Sequence, residues 1–242
     1  MLYGKIKSMK NKHYLYSRTV RIWLITGLVM LLGQVILGGI TRLTGSGLSI
    51  TKWDVVTGVI PPMNEKEWIE AFDLYKETPQ YHKINSTFDL DQFKYIYFWE
   101  FFHRFWVRAL GLIFLFPFLY FIFSKTIDRQ LIKRLGLVIL LTLLTASAGW
   151  IMVQSGLVNR PWVNAYKLTL HFILASLTIS ALVWIIADVY NYGGNIKNVP
   201  KKFTVWLIVL TFIQLIFAGM MSGMKAGLYY PTWPDMNGQI IP

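Results

Sequence analysis

Long apolar runs alternate with short polar and basic stretches along this chain. Five runs are long enough to cross the hydrocarbon core of a bilayer, which takes roughly 20 apolar residues per helix. The pattern predicts an all-α integral membrane protein with five transmembrane helices. The five runs cover residues 22–43, 95–123, 135–153, 168–187 and 203–224.

The composition agrees with a membrane setting. Only 15% of residues are charged, whereas soluble domains carry about 25%. A net charge of +12 would suggest nucleic acid binding in a soluble protein. Here, however, Lys and Arg cluster at the ends of the apolar runs, as membrane topology requires. We therefore expect membrane lipid, and no nucleic acid, as the surrounding partner.

Basic residues also predict the orientation in the membrane. They concentrate in the N-terminal tail, between the second and third runs, and between the fourth and fifth runs. Positively charged connections stay in the cytoplasm, so we expect a multi-pass protein of the inner (plasma) membrane with a cytoplasmic N-terminus. The loop 44–94, the turn near 159–162 and the C-terminus then lie outside.

The outer loop 44–94 contains a helix signal. Asn64 followed by Glu67 resembles a capping box, and Trp68, Ala71, Phe72 and Tyr75 share one helical face. This helix either lies on the membrane or caps the bundle, or it is a plain surface helix.

The chain resembles itself at an offset of 180 residues. Gln34-Val-Ile-Leu-Gly-Gly matches Gln214-Leu-Ile-Phe-Ala-Gly, and Trp53 and Pro62 match Trp233 and Pro242. The fold predicted is therefore a four-helix bundle repeat plus the first helix of a second, parallel repeat. The organisation predicted is a basic tail 1–21, a first four-helix repeat 22–190 and a linker with the second repeat's start at 191–242. Extension of the repeat predicts that about 110 to 150 further residues are missing.

Two histidines, His103 and His171, lie inside apolar runs, whereas His13 and His82 lie in polar context. An ionisable residue inside the membrane is costly and usually functional. Counted from the run ends, both histidines lie at similar depth on parallel helices, so they can ligate one haem iron from opposite sides. The alternative is that each imidazole makes hydrogen bonds within the bundle.

Charged residues accompany the histidines. Glu100 lies three residues before His103, on the same helix face. It either exchanges protons or forms an ion pair with Arg104. Arg104, Arg108, Arg42 and Lys167 are candidates for pairing with haem propionates, although Arg42 and Lys167 are equally explained as membrane anchors. The absence of cysteine excludes disulfides, iron–sulfur clusters, thiolate-bound zinc and covalently attached haem.

Several separate motifs, in order, resemble the haem A synthase family. They are Gly38-Gly-Ile-Thr-Arg-Leu-Thr-Gly-Ser-Gly-Leu48, Trp53, Thr57-Gly-Val-Ile-Pro-Pro62, Trp99-Glu-Phe-Phe-His-Arg104, Gly149-Trp-Ile-Met-Val-Gln-Ser-Gly-Leu157, Tyr166-Lys-Leu-Thr-Leu-His-Phe-Ile-Leu-Ala175 and Ala226-Gly-Leu-Tyr-Tyr-Pro-Thr-Trp-Pro-Asp-Met-Asn-Gly238. The outer loop lacks the cysteine pair that some members carry, so the chain resembles the long-loop branch without it.

The resemblance implies an oxidoreductase that converts the C8 methyl of haem O to a formyl group for cytochrome oxidase assembly. It implies His103 and His171 as axial ligands of the substrate haem and Glu100 as the catalytic acid. A haem b cofactor would belong mainly to the second half. Haem O synthase and cytochrome oxidase assembly factors are the partners implied. The alternative is a bis-histidine electron-transfer protein or haem carrier without catalysis.

Overall fold

The computed structural model describes residues 16–52, 60–158, 160–190, 200–232 and 234–240. Within them the regular structure is helical, with one 3₁₀ turn at Ser46–Leu48 and an isolated bridge between Met236 and Gln239. The helices are α1 (Arg18–Leu43), α2 (Glu65–Lys76), α3 (Pro79–Lys83), α4 (Leu90–Phe123), α5 (Arg129–Leu157), α6 (Ala165–Val189), α7 (Lys201–Met224) and α8 (Ala226–Tyr229).

Five of these helices, α1, α4, α5, α6 and α7, are long and apolar enough to cross a membrane. The predicted all-α membrane fold with five spanning helices is confirmed. Outside the described residues lie positions 1–15 of the predicted tail 1–21, the segment 53–59 with Trp53, and Trp233 and Pro242 of the repeat.

The helices begin a few residues earlier than the apolar runs. Ser17 caps α1, so its first turn lies in the predicted tail 1–21. Asp89 and Gln92 form a capping box at the start of α4, so this helix begins within the predicted outer loop 44–94. The physical reason is that a capped helix satisfies its backbone amides regardless of side-chain polarity, and thus continues beyond the apolar stretch.

Four of the spanning helices form a bundle. Helix α1 packs against both α4 and α6, and α5 packs against α6, while α7 lies on the outer side of α6. We call the end that carries α2 and α3 the loop end, and the opposite end the basic end. The apolar core lies near the basic end, where all four helices contribute side chains, among them Leu24, Phe118, Leu135 and Ile185.

Glycines allow close helix contacts at defined points. A Cβ at Gly27 would lie 2.8 Å from Phe114, and one at Gly33 would lie 3.1 Å from Trp106, which brings α1 close to α4. Gly39 has no such neighbour within 4 Å. On α7, a Cβ at Gly223 would lie 2.6 Å from the Cα of Ala165, so the α6 and α7 backbones nearly touch.

The outer loop helix caps the bundle. The Asn64 side chain accepts from the Glu67 amide, as the sequence signal predicted, whereas the Glu67 carboxylate accepts from the amide of Met63, one residue before the cap, at 2.7 Å. Phe72 and Tyr75 of α2 are buried against Phe93 of α4. Helix α2 therefore caps the bundle, which is one of the alternatives that the sequence left open, because its apolar face is covered by protein.

A hydrogen-bonded chain ties this cap to the end of α1. The Tyr75 hydroxyl donates to Gln80 Oε1 at 3.2 Å and accepts from Asn85 Nδ2 at 2.7 Å. Gln80 Nε2 then donates to the Gly45 carbonyl at 2.8 Å. Gly45 has a φ of +68°, a conformation that glycine adopts without strain. The loop following α1 is thus held in place by the outer loop.

Candidate functional site: a paired-histidine cluster

The candidate site lies in the loop-end half of the bundle, where α4 and α6 each carry one histidine. Both side chains are partly buried. Each ring faces a glycine of a neighbouring helix: a Cβ at Gly38 would lie 3.4 Å from His103, and one at Gly149 would lie 3.0 Å from His171. The absence of a side chain at each glycine lets the imidazole ring pack closely against the neighbouring helix.

His171 is oriented by a backbone carbonyl. Its Nδ1 lies 2.8 Å from the Thr145 carbonyl oxygen of α5. Because a carbonyl only accepts, Nδ1 carries the proton and Nε2 keeps a lone pair. Metal-binding histidines are held in this way, with one nitrogen donating to a carbonyl and the other facing the metal.

His103 has a different partner. Its Nε2 lies 2.9 Å from Nε2 of Gln34 on α1, one helical turn from Gly38. The same Gln34 amide lies 3.4 Å from the His103 carbonyl oxygen. Gln34 marked the internal repeat in the sequence, but its position beside a histidine was not foreseen. The signal that could have found it is a polar amide inside an apolar spanning segment.

Glu100 is buried and three donors converge on it. Oε2 accepts from Ser49 Oγ and from the Ile50 amide, both at 2.7 Å. Oε1 pairs with the Arg104 guanidinium, which also donates to the Ile50 carbonyl at 3.3 Å. The ion pair with Arg104, one of the two alternatives, is therefore present. Ser49 and Ile50 were missed, because no local pattern indicates which loop returns to a helix.

The remaining candidates lie on four different helices. Arg108 lies one helical turn beyond Arg104 on α4. Arg42, at the end of α1, donates to the Ser222 carbonyl of α7, which lies at the predicted repeat offset of 180 residues. Lys167 is partly buried near the start of α6 and His82 is exposed, as predicted for the latter. His13 lies outside the described residues.

The residues present fit a haem. The donor set consists of two imidazoles, each beside a glycine, with guanidinium groups on the same helix as His103. Such a set suits an iron porphyrin, since imidazoles ligate the iron and arginines pair with carboxylates. No cluster of three or more metal-ligating side chains occurs among the described residues, so the donor set gives no support to a bare metal ion. Two apolar surface grooves, at Thr26 and at Phe98, include neither histidine.

Comparison with known proteins places this site in a family. Residues 21–242 match the sequence model of COX15-CtaA, described as cytochrome oxidase assembly protein. The chain belongs to the COX15-CtaA family. No solved structure matches the chain.

Relatives within the COX15-CtaA family carry the name "Heme A synthase". The chain is 39% identical over 237 residues to the protein of Nitrosospira multiformis, covering 96% of this chain and 67% of that protein. It is 43% identical to that of Parvibaculum lavamentivorans (91% and 64%) and 40% identical to that of Flavobacterium johnsoniae (93% and 67%). The chain thus spans about two thirds of the length of the curated relatives it matches.

Proposed function

We propose that the chain is the part of a haem A synthase that binds the substrate, haem O, and that the enzyme oxidises its C8 methyl to a formyl group. The observation that supports the proposal is the pair His103 and His171. Each imidazole ring packs against a glycine of a neighbouring helix. The names of the relatives support the activity. In formal balance, methyl plus water gives formyl, four protons and four electrons, and the electrons pass to an acceptor.

The proposed roles follow from the hydrogen bonds. His171 presents the Nε2 lone pair because Thr145 holds its Nδ1 proton. His103 would ligate through Nε2 from α4, and we propose both histidines as ligands of the haem iron. When bound, the haem supplies the iron and the oxidisable methyl, while the protein supplies ligation and orientation. Arg104 and Arg108 are proposed to pair with the propionates.

Glu100 is proposed as the acid–base group, and its contacts support a second, positioning role. Its carboxylate joins the loop after α1 to α4 through Ser49, Ile50 and Arg104. It lies one helical turn from His103 and is 2% exposed, so water does not reach it freely. We propose that a proton released beside His103 passes to this buried carboxylate one helical turn away.

The proposal also covers the membrane location, a second haem and the partners. We propose an inner (plasma) membrane location with the basic end cytoplasmic, since basic residues gather at that end. A haem b cofactor is proposed for the remaining third of the relatives' length. Haem O synthase and cytochrome oxidase assembly factors are proposed as partners, because the first produces the substrate and the second receive the product.

The test is to identify the bound haem. The chain is purified from membranes of cells that make haem O, and the extracted haem is identified by mass. We expect haem O or haem A with a bis-histidine spectrum, and we expect His103→Ala or His171→Ala to remove that spectrum. His82→Ala, at an exposed position, is the control. Unchanged spectra in both variants would refute the ligand assignment, and haem b alone would favour the electron-transfer alternative.

A further inference from the structure

The side chain of Gln34 contacts the nitrogen that the proposed function assigns to iron. Gln34 lies on α1 and its amide nitrogen is 2.9 Å from His103 Nε2. Among the side chains that the structure describes, none makes a comparable hydrogen bond to His171, whose Nε2 is left with a lone pair by the Thr145 contact. The two proposed ligands are therefore held differently among the described residues, one by a backbone carbonyl and one by a side-chain amide.

The orientation of the Gln34 amide follows from its surroundings. With the NH₂ group toward His103, it reaches two acceptors, the ring nitrogen and the backbone carbonyl of His103. The reversed amide would accept from Nε2–H of the other His103 tautomer, but its oxygen would then face the backbone carbonyl oxygen, a second acceptor. In the orientation that the structure has, the NH₂ group donates and Nε2 of His103 accepts with its lone pair, and in either orientation the contact occupies Nε2.

The amide oxygen of Gln34 has no compensating contact. Gln34 Oε1 is buried and has no hydrogen-bond partner among the described residues. A buried acceptor without a partner is destabilising, and an apolar residue would fill the same place in a spanning helix without that cost. Stability alone therefore does not explain an amide at this position, and its contact with His103 is the feature that does.

We propose that Gln34 is a gating residue that competes with iron for Nε2 of His103. This inference rests on the proposed function, in which His103 and His171 ligate a haem. A single lone pair either accepts the Gln34 hydrogen bond or ligates the iron. Ligation at His103 therefore breaks the Gln34 contact, and release of the iron restores it. His171 carries no such competitor and is the more persistent ligand.

Such a competitor suits a haem that is a substrate rather than a resident cofactor. The product must leave the site after oxidation. A side chain that forms a hydrogen bond with the freed ligand nitrogen favours release of the product. The competing hydrogen bond is neutral, so we expect it to shift haem affinity by roughly 2- to 12-fold, the range that a net contribution of one hydrogen bond allows.

The test uses the purified 242-residue protein in lipid nanodiscs, with haem b (ferric protoporphyrin IX) as the probe. Gln34→Met keeps the length and removes the donor, and Gln34→Asn keeps the amide but shortens its reach. The rate of haem transfer to excess apomyoglobin and the low-spin fraction of the ferric spectrum are measured. Both variants should release haem roughly 2- to 12-fold more slowly and show more low-spin, bis-histidine iron.

Controls separate this proposal from the function it rests on. Gln214→Met makes the same change at the predicted equivalent position on α7, where the side chain is exposed, and should change neither measurement. In a His103→Ala background, Gln34→Met should have no effect on release. Release that is unchanged or faster in both Gln34 variants would overturn the gating role alone. A wild-type protein that binds no haem would overturn the gating role together with the proposed function.

Discussion

At the scale of single residues, the hydrogen-bond partners of a side chain determine which chemical role it can take. His103 and His171 are the same side chain in similar apolar segments, yet one contacts a glutamine amide and the other a backbone carbonyl. Glu100 shows the same dependence. Its position one turn before His103 allowed either proton exchange or an ion pair, and the structure adds Ser49 and the Ile50 amide to the ion pair.

The two roles of Glu100 are separable by substitution. Glu100→Gln keeps the size and an acceptor for the Ile50 amide but removes the titration. If Glu100 is the acid–base group, haem binding should persist while haem A production falls by roughly 10²–10⁴-fold. Haem A is measured by chromatography of extracts from cells that make haem O.

Arg104→Gln is the matched partner variant, because it breaks the same ion pair and leaves the carboxylate. Equal loss of haem A in both variants would assign Glu100 to positioning. Wild-type haem A from Glu100→Gln would exclude an acid–base role altogether.

At the scale of elements, contacts between helices decide where each one lies. The apolar face of α2 is covered by α4, and the backbone of α7 approaches α6 at Gly223. Both contacts depend on side-chain size, one on large aromatic rings and the other on the absence of a side chain. Each of these two contacts therefore leads to a testable prediction.

Gly223→Ala should weaken the packing of α7 on α6. The added methyl would lie 2.6 Å from the Cα of Ala165, so the backbones must separate, which costs about 1–3 kcal/mol. We expect a lower midpoint of thermal unfolding in detergent. Gly39→Ala is the control, since nothing lies within 4 Å of its Cβ. Equal midpoints for wild type and Gly223→Ala would contradict the close approach.

Tyr75 should make the outer cap sensitive to alkali. Burial, and secondarily the negative charge of Glu100, raises the pKa of Tyr75 to about 12 from 10.0. Folding thus favours the protonated phenol, so its stabilising contribution is present below pH 10 and is lost as the pH rises through about 12. The midpoint of thermal unfolding should fall across this window, and less so in Tyr75→Phe.

The matched control for Tyr75 is Tyr166→Phe, at an exposed position near the start of α6. It should retain the full alkaline fall of the wild type. An identical fall in Tyr75→Phe would show that the buried phenol does not contribute.

At the scale of the whole molecule, five spanning helices place the two ends of the chain on opposite sides of a membrane. The bundle of α1, α4, α5 and α6 has its core at the basic end and its histidines toward the loop end. The proposed orientation puts the histidines nearer the outer face. Substrate oxidation would then occur on that side of the bilayer.

Reporter fusions test this orientation. Fusions after Lys76, Lys133, Arg160 and Lys202 should report outside, inside, outside and inside, because basic connections remain in the cytoplasm. An alkaline phosphatase and a fluorescent protein reporter give opposite signals at each point. A cytoplasmic signal at Lys76 would reverse the assignment of the outer loop and with it the side of the reaction.

The sequence by itself determined the spanning helices and the N-terminal start of α2 at Asn64. It also identified the two histidines as the residues to examine. These features depend on periodicity and on neighbours a few positions apart, which any single helix displays. Only the tertiary structure decided that Gln34 contacts His103, that Thr145 orients His171, and that the loop at Ser49 returns to Glu100. Such contacts depend on how helices rotate and approach one another, and no local pattern along the chain records that geometry.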